Sequence, residues 1–443
     1  MHVIIFTDVN GSIGIGRYAG TYRIATEMRK HGWHVDVIDF MMSFSDSEIL
    51  DIIKQRKRPD TAWVGFSSTF LMPREFDPFG NRTSIRDASE ASSSIGLSLD
   101  AAQALVNNIR ATGLEVFVGG AKLRWDIDGV NWIKGNAEDH FFKDFDFTNS
   151  QIEWQASDHI FEGEHLPMEI ARGCIFKCKF CSYNLNGKRL WDFCKSPETI
   201  ENEMIRNYDQ FGTTGYMFSD DTYNDSPEKI DILNQMYRRL PFDLEFSAYA
   251  RLDLIISKPE TLPILIESGL RSVFFGIETF NHDSGKLIGK GMHPDRIKQG
   301  LIDIKDQYPD LLISTGFIAG LPYDTAKDLE DTIDWLESSP VDSYSMQVLS
   351  LGKNSEFGKN SVHYGYQIDE SGKWFTDKLD YDTALSIADR AKFTTISSFT
   401  FYNRLRNIGY SPEQVALLSE KDKDDINLRV SQKKQEYRNA ILN

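Results

Sequence analysis

The stretch 171-ARGCIFKCKFCSY-183 decides how this chain is read. Three of the four cysteines in the 443-residue chain fall in it, at Cys174, Cys178 and Cys181. Thiolates hold zinc and iron–sulfur clusters, and both usually take four protein ligands. The spacing C-x3-C-x2-C supplies three. Either the fourth comes from elsewhere, with Cys194 or His165 completing a zinc site, or it is left open. Zinc knuckles use paired C-x2-C arms, and this stretch has one.

Outward from the cysteines, residues 160–350 show a strand–helix alternation. Strand-like pieces are LPMEIA, TGYMFSD, LEFSAYA, SVFFGIE, LLISTGFIAG and SYSMQVLS. Helix-like pieces such as SPETIENEMIRNYDQFG, SPEKIDILNQMYRRL and KPETLPILIESG lie between them, each opened by Ser or Lys before Pro-Glu. Pro at the first helical position is a start signal. Six such units predict a partial (β/α)6 barrel, whose chemistry belongs at the carboxyl ends of its strands. The first strand runs directly into the cysteine stretch.

Residues 1–150 repeat the rhythm with VIIFTDV, WHVDVIDF, TAWVGFSS and LEVFVGG. That pattern predicts an open, parallel, Rossmann-like α/β sheet. The turn NGSIGIG reads G-x-x-G-x-G, not the G-x-G-x-x-G of dinucleotide binding, so no NAD is expected. Residues 69–96, rich in Ser, Asp, Arg and Pro, break the rhythm after a strand end and read equally as an active-site lid or a surface loop. Residues 351–443 read as a mostly helical C-terminal region.

Composition narrows the class. Net charge is −17, which disfavours nonspecific nucleic-acid binding and a membrane-surface role. No apolar run is long enough to span a bilayer. The N-terminus lacks a basic lead and does not read as a signal peptide. Four cysteines make no disulfide framework, so a reducing cytoplasm is expected.

C-x3-C-x-Phe-C after a strand, followed by a (β/α)6 series, resembles the radical S-adenosylmethionine (SAM) superfamily. Phe180 matches the aromatic position of its motif. The resemblance implies that Cys174, Cys178 and Cys181 bind three irons of a 4Fe–4S cluster, while the fourth iron takes the amino and carboxylate groups of SAM. It implies that Asp220 or Asp221, in FSDDTYN, faces the SAM amino group, and that Arg251, in SAYARLD, pairs with its carboxylate. Glu278, in FFGIETFN, would bond ribose hydroxyls. Gly316, Ile318 and Gly320, in GFIAGLP, would pass close to the adenine. An Asp after a strand can equally be a helix cap, and a strand glycine can mark a bulge. Cys194 reads as a packed thiol.

A Rossmann-like domain ahead of such a barrel resembles the cobalamin-binding members of the superfamily, which include methyltransferases and ring cyclases. The D-x-H-x-x-G signature of a histidine-ligated cobalamin is absent, with Asn10 in the corresponding turn. Cobalamin therefore stays open as a third cofactor. Lys353 and Asn354 lie where related enzymes often carry a Pro-Gly-Thr turn, absent here. A flavodoxin- or ferredoxin-like electron donor is the implied partner. The rival from another class is a noncatalytic protein with a structural zinc or iron–sulfur site.

Overall fold

The computed structural model describes residues 1–9, 13–67, 99–120, 127–133, 135–183, 185–391 and 399–443. The N-terminal apolar runs form strands β1 (His2–Phe6), β2 (His34–Ile38), β3 (Thr61–Ser67), β4 (Glu115–Gly119) and β5 (Asn131–Trp132). All pair in parallel, in the order β2-β1-β3-β4-β5. Helices α1 (Ala19–Lys30), α2 (Asp46–Arg56), α3 (Leu99–Ala111) and α4 (Ala137–Phe141) accompany them. Strands buried on both faces read as continuous apolar runs, which is why this sheet was visible in the sequence. Asn10 and the 69–96 segment lie outside the described residues.

The second sheet consists of β6 (Leu166–Met168), β7 (Gly215–Phe218), β8 (Glu245–Ala250), β9 (Leu270–Glu278), β10 (Leu312–Ala319) and β11 (Ser343–Val348). Its order is strictly sequential and parallel, with β6 and β11 as its edges, so the barrel is partial. Helices α5 (Pro197–Phe211), α6 (Pro227–Tyr237), α7 (Leu252–Ser257), α8 (Thr261–Glu267), α9 (His282–Ile288), α10 (Pro294–Gln307) and α11 (Ala326–Ser338) alternate with the strands. Outward strand residues such as Met168, Phe218, Phe246, Val273 and Phe275 are fully buried in one hydrophobic cluster. Each contributes about 1.5–3 kcal/mol of burial.

Ser196 and Ser226 cap α5 and α6 by accepting from the amides of Thr199 and Lys229, as their Ser-Pro starts predicted. Lys258-Pro259 does not open a helix. It falls in the turn between α7 and α8, and α8 starts at Thr261. A lysine has no acceptor oxygen with which to satisfy the first amides of a helix.

The C-terminal region is mostly helical: α12 (Glu356–Lys359), α13 (Tyr381–Arg390), α14 (Phe399–Arg406), α15 (Pro412–Leu417) and α16 (Lys423–Leu442). A small antiparallel pair, β12 (Gln367–Ile368) and β13 (Trp374–Phe375), interrupts it. Helix α14 closes the amino end of the barrel. Asn403 bonds Ser247 of β8 and the ring of His165, and Arg406 pairs with Glu245 at 3.0 Å. Helix α16 packs on the first sheet, where the Tyr437 hydroxyl accepts from the Asp39 amide at 2.8 Å. With its amino end plugged, the barrel is left with its carboxyl end for chemistry. Among the described residues no helix is long and apolar enough to cross a membrane.

Candidate active site

Strand β6 delivers the chain at Met168, and the next residues lead into the cysteines. The loop after β7 fixes this entry. Asp220 is buried, and its Oδ1 accepts from the amides of Ile170 at 2.7 Å and Ala171 at 3.1 Å. Its Oδ2 lies 3.9 Å from the buried Lys229 ammonium, which sits 3.0 Å from Asp225. Burial pushes the Asp220 carboxyl up to about 6 against the pull of Lys229 and the two amides. Two residues on, the Thr222 hydroxyl is 3.2 Å from Cys174 Sγ. Asn224 then grips the backbone of Arg251, accepting from its amide at 2.8 Å and donating to its carbonyl at 2.9 Å. One loop, 220–224, therefore stitches together the ends of β6, β7 and β8.

Arg251 is buried, and its Nη1 points at Cys178 Sγ from 3.8 Å. Asp253 holds the guanidinium through a two-point pair, at 3.0 and 2.6 Å, and the Phe176 ring lies 3.9 Å from it. Glu278 ends β9 with a left-handed backbone, φ +75°, where the pairing of β9 with β10 slips by a residue. A non-glycine residue in that region is an outlier that surrounding contacts must hold. Lys290 holds it. Its ammonium bonds the Gly276 carbonyl and lies 3.2 Å from Glu278 Oε1.

Burial raises the thiol pKa of both Cys178 and Cys181. At Cys178, Lys290 and Arg251 work against burial, while Glu278 and Cys174 add to it. At Cys181, the Tyr183 amide and the Asn186 side chain oppose burial, while Asp221 and Cys174 reinforce it. The three thiols, two cations, Asp221 and Glu278 therefore share one electrostatic neighbourhood. Cations beside a thiol favour the thiolate, the form that binds metal. A cavity of about 670 Å³ opens beside the cysteines, lined by Lys177, Lys179, Asp283, Lys286 and Tyr323 among others.

The remaining expected residues fall as follows. Phe180 is partly buried against the main core. Asp221 is exposed and near Cys181, whereas Asp220 is turned to backbone amides. Ile318 is the one half-buried residue of β10. A Cβ on Gly316 would lie 2.5 Å from the Phe274 ring. Gly320 has φ +103°, and a Cβ there would meet the Trp374 ring at 2.2 Å. Ring packing within this chain thus accounts for both glycines. Lys353 and Asn354 are exposed in a turn ahead of α12.

His165 is not placed to complete a metal site with the cysteines. It sits at the opposite end of β6, buried, with Nδ1 accepting from Asn403 at 3.0 Å. Burial lowers its pKa to about 4, so the ring is neutral. Cys194 bridges by backbone to Ala171, and its thiol is 3.6 Å from the Lys195 carbonyl. Among the described residues no three His, Cys, Asp or Glu side chains converge on a single ion. The donor set is three partly buried cysteines, with Arg251 near Cys174 and Cys178 and Lys290 near Cys178, which fits an iron–sulfur cluster.

Asn224, Asp253, Thr222 and Lys290 were not anticipated from the sequence. Asp253 alone had a local signal, as the carboxylate two residues after Arg251 in ARLD.

Comparison with known proteins agrees. The family model described as the radical SAM superfamily matches residues 168–336. An uncharacterized methyltransferase of Pyrococcus horikoshii is 28% identical over 39% of this chain and 36% of its own length. The chain thus spans well under half the length of that relative. The structure resembles TsrM from Kitasatospora setae, a radical S-adenosylmethionine methyltransferase solved with cobalamin and a [4Fe-4S] cluster bound. That match has TM-score 0.57 and 12% identity, over 97% of this chain and 99% of that one. It also resembles OxsB, a cobalamin-dependent S-adenosylmethionine radical enzyme, with TM-score 0.53 and 13% identity over 82% of this chain and 56% of that one. At such identities the likeness establishes the fold, including the order of Rossmann-like sheet and partial barrel.

Proposed function

We propose that this chain, in which residues 168–336 form a radical SAM domain, is a radical SAM enzyme that cleaves SAM reductively to modify a substrate by radical chemistry. The observation that carries the proposal is the C-x3-C-x2-C loop at the carboxyl end of β6, with Arg251 and Lys290 beside Cys178 and Glu278 at the end of β9. Cys174, Cys178 and Cys181 would hold a 4Fe–4S cluster, which when bound supplies the electron that splits the SAM sulfonium. This chain's residues bind and orient. Asp220 sets the path of the cysteine loop through the Ile170 and Ala171 amides. Asp221, exposed beside Cys181, is the acceptor offered to the SAM amino group. Arg251, already paired with Asp253, keeps Nη1 directed at Cys178 and presents a fixed cation to the SAM carboxylate. Glu278, held by Lys290, offers its second oxygen to ribose hydroxyls. Phe180, Gly316, Ile318 and Gly320 shape the surrounding wall.

The domain reading is a Rossmann-like unit over 1–150, the radical SAM barrel over 160–350 and the helical region over 351–443. The proposed setting is the cytoplasm, with a flavodoxin- or ferredoxin-like donor. Methyl transfer with cobalamin is a second reading, favoured by one observation: the likeness to TsrM runs through the first sheet as well as the barrel. Residues 10–12, 68–98 and 121–126 lie outside the described residues. Protein purified with cobalamin and then desalted retains near-stoichiometric corrinoid under this reading, and none without it.

The main reading is tested by anaerobic reconstitution with iron and sulfide followed by dithionite reduction. It predicts four irons per chain and slow release of 5′-deoxyadenosine from SAM. Both should be lost in Cys174→Ala, Cys178→Ala and Cys181→Ala. One bound zinc and no visible chromophore would defeat it.

A further inference from the structure

The loop 219–224 is fixed along its length. The Ser219 amide donates to the Met168 carbonyl at 2.9 Å, and the Tyr223 amide donates to the Tyr249 carbonyl at 2.8 Å. The Tyr223 hydroxyl lies 2.9 Å from that of Tyr237. Asp220 clamps the exit of β6, and Asn224 clamps the backbone of Arg251. These ties hold the loop without the side chain of Thr222. Thr222 is nevertheless buried, at 7% exposure. Its hydroxyl is set between two neighbours, the Asp221 carbonyl at 2.7 Å and Cys174 Sγ at 3.2 Å. Cys174 is held from its other side, where the amides of Gly187 and Lys188 donate to its carbonyl at 2.7 and 3.3 Å. The hydroxyl and the sulfur therefore stay opposed.

A hydroxyl has one proton to give. While Cys174 is a thiol, its sulfur donates to Thr222 Oγ1 and the hydroxyl proton goes to the Asp221 carbonyl. A cysteine sulfur bonded to iron has no proton and only accepts, so two acceptors then compete for one donor. Two facts favour the sulfur. A metal-bound sulfur carries negative charge, and charge-assisted hydrogen bonds are the stronger kind. Asp221 is exposed, so water can satisfy its carbonyl, whereas the Thr222 side chain is buried against the sulfur.

The other two sulfurs have different neighbours. Cys181 takes the Tyr183 amide and the Asn186 side chain, and Cys178 faces Arg251 Nη1 at 3.8 Å. Among the described residues Thr222 is the one side chain within hydrogen-bond distance of Cys174 Sγ. We infer that the Thr222 hydroxyl turns to Cys174 Sγ when the cluster is bound and raises the reduction potential of the cluster through that sulfur. Hydrogen bonds to the sulfurs are among the protein's levers on such potentials. A donor at the sulfur stabilises the more negative, reduced state, so Thr222 eases the entry of the electron. In that step one electron passes from the reductant to the cluster, and no bond forms or breaks on Thr222. The inference rests on the radical SAM reading and names a residue that acts on it through Cys174.

The test uses full-length protein reconstituted anaerobically with iron and sulfide. Thr222→Val removes the hydroxyl with little change of shape, and Thr222→Ser keeps the hydroxyl and drops the methyl. Midpoint potentials are read by mediated dithionite titration, followed by the paramagnetic signal of the reduced cluster, so that only loaded protein is counted. At the parent's midpoint the reduced-to-oxidised ratio should fall about tenfold in Thr222→Val, which is about 59 mV more negative for one electron. Thr222→Ser should keep the parent's potential. After exchange into deuterated water, pulsed electron paramagnetic resonance should show a deuteron coupled to the cluster in the parent and in Thr222→Ser, weakened in Thr222→Val. A parent-like potential in Thr222→Val overturns the inference. So does a Thr222→Ser potential displaced as far as that of Thr222→Val. If Thr222→Val holds no cluster, Thr222→Ala carries the same prediction, and loss of the cluster from both overturns the inference in favour of a structural role. Failure of the parent to form a dithionite-reducible cluster instead overturns the radical SAM reading, so the two failures are distinct.

Discussion

Asp220→Ala removes the acceptor that fixes the entry to the cysteine loop. Asp220 Oδ1 takes two amide hydrogens, from Ile170 and Ala171, and the carboxylate is 1% exposed, so water cannot readily replace it. Leaving a buried donor unsatisfied costs about 1–3 kcal/mol, so two unpaired amides put the local loss near 3 kcal/mol, toward the lower half of their combined range. Lys229 loses one of its two counter-charges, though Asp225 at 3.0 Å remains. A loss of about 3 kcal/mol in local opening free energy is a factor of about 10² in amide exchange. Hydrogen exchange read by mass spectrometry should therefore show residues 169–173 exchanging about a hundredfold faster, and iron retention after reconstitution should fall. Asp220→Asn keeps an acceptor oxygen and should preserve most of both. Parent-like protection and iron content in Asp220→Ala would refute the argument that this carboxylate positions the loop.

Lys290→Met and Glu278→Gln should each weaken SAM binding, and a double-mutant cycle read by equilibrium dialysis should give coupling of about 1–2 kcal/mol, because the pair at 3.2 Å is only 11–15% exposed; additive effects would contradict it. His165 has a folded pKa of about 4 against an ordinary 6.5, so the unfolded chain gains a proton that the folded chain refuses as pH falls through that window. Its contribution is intact above pH 6.5 and lost on approaching pH 4, by about 3 kcal/mol, so the melting temperature of the parent should drop more between pH 7 and 5 than that of His165→Gln. Gly320→Ala should destabilise by about 2 kcal/mol or more, read as a lower melting temperature, since its Cβ would enter the Trp374 ring at a left-handed backbone position.

The two sheets were legible because each strand is an apolar run bounded by helix starts, and Ser196 and Ser226 cap where their sequences say. The candidate cysteine ligands could be named from the sequence because their spacing is local. The rest depends on contacts distant in sequence. Asp220 and Asp221 are adjacent acids, and only burial separates the clamp from the exposed candidate. Lys290 reaches Glu278 across a helix and a turn, and nothing at Lys290 itself marks that use. Asn403 meets His165 from 238 residues away, so the plug at the amino end of the barrel leaves no local trace. Lys258-Pro259 misled because proline reports a permissive backbone, while the cap also needs an acceptor.

The central claim is a cluster held by three cysteines with one iron open to SAM. Its most direct measurement is electron paramagnetic resonance of the reduced, reconstituted protein with and without SAM. The account predicts a spectrum that shifts on adding SAM, identically in the parent and in Cys194→Ala. A spectrum indifferent to SAM, or a Cys194→Ala variant that loses its metal while a motif-cysteine variant keeps it, would contradict it.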